Sequence, residues 1–250
     1  WARGHGDGLL TLVGGYGRPL WWLQILSLAV LVHALLAAGT ARQAAGRAWL
    51  FGTAWLAATF WWLFISMHTY GGLAAPLAVA AVLALAAFLG CYYAIVSWLF
   101  KRLCHTQHAL TAMIFAALWT LAELARGWLW TGFPWGAGGY AHVEGPLAAL
   151  PRWVGVYGTG FVAAWIAAWL AMLLWRWQTQ QRVLQLKPAV ASVAALSLAL
   201  GSLWWLRNDA VEAPSPQPGM SVALLQGNIP QDEKFEMGSG VVDALRWYAQ

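Results

Sequence analysis

The stretch Glu123 to Pro146, ELARGWLWTGFPWGAGGYAHVEGP, decides how the 250-residue chain is read. It follows an apolar run and is dense in Gly, Trp, Pro and Tyr. A soluble loop rarely turns so many aromatics toward water. A helix facing lipid cannot hold so many Gly and Pro residues, because the freed backbone groups would find no partner in hydrocarbon. The segment therefore reads as a structured loop at a membrane surface, where Trp and Tyr are comfortable.

The rest of the composition agrees. The chain is 61% hydrophobic and 9% charged, with a mean hydropathy of +0.59, against about 25% charged in a typical soluble domain. It is read as an integral membrane protein. The net charge of +5 comes from short scattered clusters and not from one stripe, so nucleic acid is not an expected partner. Cys91 and Cys104 make no disulfide framework and read as small buried or loop residues.

Six apolar stretches are long enough to cross a bilayer: 20–38, 48–66, 76–100, 109–125, 153–175 and 188–206. Residues 1–13 carry Arg3, His5 and Asp7 and fit neither a signal peptide nor a full span; they read as the remnant of a first helix or a frayed end. Three connections are basic and free of acids: 39–47 with Arg42 and Arg47, 101–108 with Lys101 and Arg102, and 176–187 with Arg176, Arg182 and Lys187. The positive-inside rule puts these in the cytoplasm. Loop 126–152 and everything after residue 206 then lie outside, in the periplasm of a Gram-negative cell.

After the last stretch the composition shifts. Residues 207–219 contain three prolines and read as an extended linker. Ser221 to Gln226 is a short apolar run closed by Gly227-Asn228 and Pro230, the pattern of a buried strand. Val241, Val242, Leu245 and Tyr248 then fall on one helical face. One strand and one helix cannot bury that face, so residues 220–250 read as the opening of a second, soluble α/β domain that continues beyond the chain.

These motifs carry a resemblance. Glu123, Arg126-Gly127-Trp128, Thr131-Gly132-Phe133-Pro134-Trp135, Gly139-Tyr140, Gly145-Pro146-Leu147 and Gly155-Val156 resemble, in order, the pattern of the apolipoprotein N-acyltransferases. Val222 to Gln231 is similar to the first strand of that family's nitrilase-like domain, and Thr69-Tyr70-Gly71-Gly72 is similar too. Glu144 stands where the family usually has Asp, and Gly136-Ala137-Gly138 where larger residues are common.

The resemblance implies a fold and a chemistry. The fold is an α-helical polytopic membrane domain (1–206) followed by the beginning of a carbon–nitrogen-hydrolase domain. The reaction transfers an acyl chain from a membrane phospholipid to the N-terminal amine of a diacylglyceryl-cysteine lipoprotein, through a thioester acyl-enzyme. The implied Glu-Lys-Cys triad falls after residue 250, so no catalytic residue is expected within the chain, which alone is expected to be inactive. No cofactor or metal is implied, and the location is the bacterial inner membrane. The alternatives are a polytopic transporter, against which no span carries a clear Asp/Glu/Lys pathway, and a non-catalytic membrane anchor.

Candidate substrate-binding residues are Trp135, Phe133, Gly132, Arg126, Glu123 and Tyr140. Glu123 and Arg126, three apart, read either as a pair fixing a helix end or as a head-group contact. Trp135 reads either as one interfacial anchor among 20 tryptophans or as a lipid contact. Gly132 and Gly139 read as turn residues. His33 reads as a neutral residue bonded to a neighbouring helix, and His105 and His108 beside Cys104 lack the ligands a metal site needs.

Overall fold

The computed structural model describes residues 19–104, 110–130, 132–179, 201–202 and 240–248. The expected span 188–206, the linker 207–219, the strand at 221–226, Gln226 and Asn228, and His105 and His108 lie outside the described residues, apart from 201–202.

Helices occupy the apolar stretches, with bounds set by local chemistry. Helix α1 is Trp21–Leu36. Helix α2, Ala41–Thr59, begins where the Thr40 hydroxyl accepts from the Gln43 amide at 3.2 Å and Gln43 Oε1 accepts from the Gly39 amide at 2.9 Å. This is a near capping box that satisfies two orphan donors. Helix α4, Ala75–Leu103, starts with a proline in its first turn, where no amide is needed. Helix α5 is Leu110–Trp128. Helix α6, Pro151–Thr179, is kinked at Gly155, whose φ is 66°. Helix α7, Gly240–Tyr248, carries the expected apolar face, with Val241, Val242 and Leu245 exposed.

The expected span 48–66 is not one straight helix. Helix α2 stops at Thr59, and a short helix α3, Trp61–Ile65, continues into a π-helical turn, Ser66–Tyr70, bent by 53° from α2. The cause is local and tertiary. The Thr59 hydroxyl donates to the Trp55 carbonyl at 2.9 Å, a back-bond that bends helices. Phe60 leaves helical geometry and buries its ring edge-on against Phe133, with centroids 4.9 Å apart. Trp61 and Trp62 swing outward and are exposed.

Helices α4, α5 and α6 are long and apolar enough to cross a membrane, and α2 with α3 would be a fourth, broken crossing. Helix α1, at 16 residues, is shorter. The core between the helices is rich in aromatic side chains. Trp119 of α5 stacks on Trp55 of α2 at 5.9 Å and meets Tyr93 of α4 at 4.4 Å. Helices α2 and α4 pack through glycines: Gly52 lies under the Tyr93 ring and Gly90 under Thr53. Leu, Trp, Ile and Val side chains cover the outer faces, as expected where hydrocarbon is the solvent.

Two smaller expectations change. His33 makes no hydrogen bond from Nδ1 to another described residue; its imidazole packs edge-on against the Trp175 ring of α6 at 5.4 Å. Cys91 is exposed on α4 and not buried, with its thiol leaning 3.5 Å from the Ala87 carbonyl.

Candidate functional site

The loop that opened the reading closes the bundle at the end opposite the basic connections. Its path is dictated from below by two charged residues of α5. Glu123 and Arg126 are each only 1% exposed. They do not serve as a closed pair. Arg126 Nη1 donates to the carbonyls of Phe133 (2.7 Å) and Trp135 (2.6 Å). Glu123 Oε1 accepts from the Gly138 amide at 2.9 Å. Each is spent on loop backbone. The structural reading of this pair is thereby corrected: these residues fix the loop more than the helix end.

The turn itself follows from sequence. The Gly132 amide bonds the Leu129 carbonyl at 3.0 Å, and the Phe133 amide returns to the Arg126 carbonyl at 2.8 Å. Gly132 holds a φ of 73°, a left-handed conformation that a side chain disfavours. Pro134 then separates two opposite orientations. Phe133 points inward onto Phe60, whereas Trp135 points outward, 58% exposed, with its ring 5.5 Å from that of Trp62.

A short 3-10 turn, Gly138–His142, follows. Gly139 is pressed so close to the Val156 carbonyl of α6 that a β-carbon would collide with backbone. Tyr140 is exposed at 59%. His142 is fully buried, and its Nε2 lies 3.1 Å from Gln24 Oε1 of α1. The loop is thus tied to α1, α5 and α6 together.

Burial pushes the His142 imidazole down to about 4 from its ordinary 6.5. Folded His142 is therefore neutral across the range in which the unfolded chain takes up a proton. Its contribution is complete above pH 6.5 and is lost as pH falls toward 4. The span of that shift corresponds to on the order of 3 kcal/mol. Thermal unfolding in detergent at pH 7.5 and pH 5.0 is expected to show a larger drop for the native residue than for His142→Gln. Equal drops would remove His142 from the pH response.

Of the predicted site residues, Glu123, Arg126, Gly132 and Phe133 converge beneath the loop, while Trp135 and Tyr140 lie on its outer surface. Sequence reading missed Trp62, Phe60, Gln24 and His142. Gln24 carried a usable signal, being a polar residue within an apolar stretch. Trp62 had none that set it apart from its neighbours.

Apolar helices, a broken crossing and a charge-pinned loop at one end define a polytopic helical membrane protein. Residues 7–169 match the family described as the apolipoprotein N-acyltransferase N-terminal domain. The chain belongs to that family. It is 54% identical over 241 residues to the apolipoprotein N-acyltransferase of Verminephrobacter eiseniae, an alignment covering 94% of this chain and 44% of the relative. It is 41% identical over 233 residues to that of Ralstonia nicotianae, covering 92% and 42%. The chain therefore spans less than half the length of these curated relatives.

Proposed function

We propose that this chain is the membrane part of an enzyme that transfers an acyl chain from a phospholipid to the amine of a diacylglyceryl-cysteine on a lipoprotein. The observation that carries this is the 54% identity to a relative named for that activity, running through nearly the whole chain. The catalytic groups belong to a nitrilase-like continuation. There a Cys thiolate attacks the phospholipid ester carbonyl and expels the lysophospholipid. The acceptor amine then attacks the thioester, forms the amide and frees the thiol.

Both substrates are held in a bilayer by their acyl chains, so they arrive laterally. That requires a catalytic domain placed against a membrane surface and a wall that keeps water from the thioester. The pinned loop supplies a rigid, aromatic surface of this kind, with Trp135 and Tyr140 available to lipid and Glu123, Arg126, Gly132 and Phe133 holding the shape. Domain 1–206, linker 207–219 and the α/β opening at 220–250 fit this arrangement. Helix α7, at Gly240–Tyr248, has the amphipathic face such a domain would bury. The loop faces the periplasm of the inner membrane in this reading.

The test compares the full-length protein with residues 1–250, each incubated with phospholipid and a diacylglyceryl peptide, with products read by mass spectrometry. N-acylated peptide is expected from the full-length protein alone. Product from residues 1–250 would show that the nucleophile is not on the continuation, and none from the full-length protein would remove the proposed activity.

A further inference from the structure

The opposite end of the bundle holds a feature that the acyltransferase reading does not use. Between Asp7 and Glu123 the sequence contains no Asp or Glu. Within that acid-free region two cations from different helices turn toward the same place. Arg47 of α2 donates from Nη1 to the Ala34 carbonyl, and Lys101 of α4 donates from Nζ to the Leu36 carbonyl at 3.0 Å. Both carbonyls belong to the last turn of α1, two residues apart. The two cations thus converge on one helix end.

A helix C-terminus favours one nearby cation through its partial negative charge, by about 0.3–1 kcal/mol. It does not neutralise two. Each side chain also keeps donors beyond the one used: a guanidinium has five N–H groups and an ammonium three. Lys101 is half-buried and Arg47 exposed at the rim, so the pair faces outward from the helix end. Arg102, next along α4, lies over the Trp98 ring at 5.1 Å. A tryptophan and a cation together mark this level as a membrane interface.

We propose that Arg47 and Lys101 form a binding site for the phosphate of an anionic phospholipid head group, seated at the C-terminal end of α1 between α2 and α4. No acidic side chain pairs with either cation among the described residues, and the counter-charge is then supplied by the head groups of the bilayer. The acyl chains of that lipid would run along the apolar outer faces of α1 and α4, where Leu26, Val30, Ile95 and Trp98 are exposed. This site does not depend on the proposed acyl transfer.

The test uses the full-length protein in detergent and native mass spectrometry, with equimolar palmitoyl-oleoyl phosphatidylglycerol and phosphatidylcholine as probes. Wild type is expected to retain phosphatidylglycerol preferentially. Arg47→Gln with Lys101→Gln should weaken that retention about twenty-fivefold, since each cation loses a charge-assisted contact with the phosphate worth roughly fivefold. Arg42→Gln with Arg102→Gln removes the same charge from side chains that make no phosphate contact in this proposal and should stay within about threefold of wild type.

Equal loss in the two double variants would replace the site with diffuse surface charge, and no loss in the first would overturn it. Displacement of the lipid by millimolar inorganic phosphate would mean a free-anion site and not a lipid site. If the first double variant does not fold, the single variants Arg47→Gln and Lys101→Gln decide. Unchanged retention in either would sink the proposal.

Discussion

Arg126→Ala is expected to release the loop and cause the largest loss of stability of any single substitution in the bundle. The guanidinium supplies a charge-assisted hydrogen bond to each of two loop carbonyls, Phe133 and Trp135, from a position that water scarcely reaches. Removing it strands both carbonyls and leaves the buried Glu123 carboxylate without its neighbouring positive charge. Hydrogen bonds of this type contribute about 1.5–3 kcal/mol each, so a loss of about 3 kcal/mol or more is expected. Thermal unfolding in detergent should shift well below wild type. Limited proteolysis should cut first within residues 129–150. Arg126→Lys keeps the charge, but its ammonium sits on a shorter stem than the Nη1 that meets both carbonyls, and it should recover less than half of the loss. A variant Arg126→Ala with wild-type unfolding and an uncut loop would show that glycines and packing alone hold the turn.

Trp135→Ala should act on rate and not on stability. Its backbone carbonyl is held by Arg126, while its ring stands outward beside Trp62. The substitution therefore leaves the clamp in place and removes an exposed aromatic face. Under the proposed acyl transfer, acyl-enzyme formation by the full-length protein is expected to fall about tenfold, the effect of losing one aromatic contact of about 1.4 kcal/mol. Trp128 is the control: it is 84% exposed and lies on the same side. Trp128→Ala should change the rate by less than about twofold, as for any one anchor among many. Equal small effects would make Trp135 an interfacial anchor and return the substrate contact to other residues. Unfolding of Trp135→Ala together with its rate loss would place the ring in the scaffold.

The helices and the loop were legible because both rest on composition. Long apolar runs announce helices in hydrocarbon, and the Gly-Trp-Pro cluster of 127–139 cannot be such a helix. What the charged residues do was not legible. Spacing showed that Glu123 and Arg126 share a face of α5, but their real partners are backbone groups at 133, 135 and 138. Backbone donors and acceptors have no signature in sequence, so a spacing of three suggested a pair.

The break after Thr59 was hidden for a related reason. Residues 48–66 hold no proline, and their one glycine, Gly52, lies under Tyr93 and not at the break. The break is set by Phe60 fitting against Phe133, more than 70 positions away along the chain. Hydropathy adds up residues in a window and cannot register such a contact. His142 was legible as a loop residue but not as a buried one, because the turn that carries it packs on α6 and α1, distant in sequence.

The unequal lengths of the helices bear on the lipid around them. Helix α4 runs for 29 residues, about 43 Å, whereas α1 runs for 16, about 24 Å. A hydrocarbon slab of about 30 Å is overspanned by the first and underspanned by the second. Helix α4 can tilt, whereas the short α1 is met by snorkelling flanking side chains or by a thinner bilayer beside it.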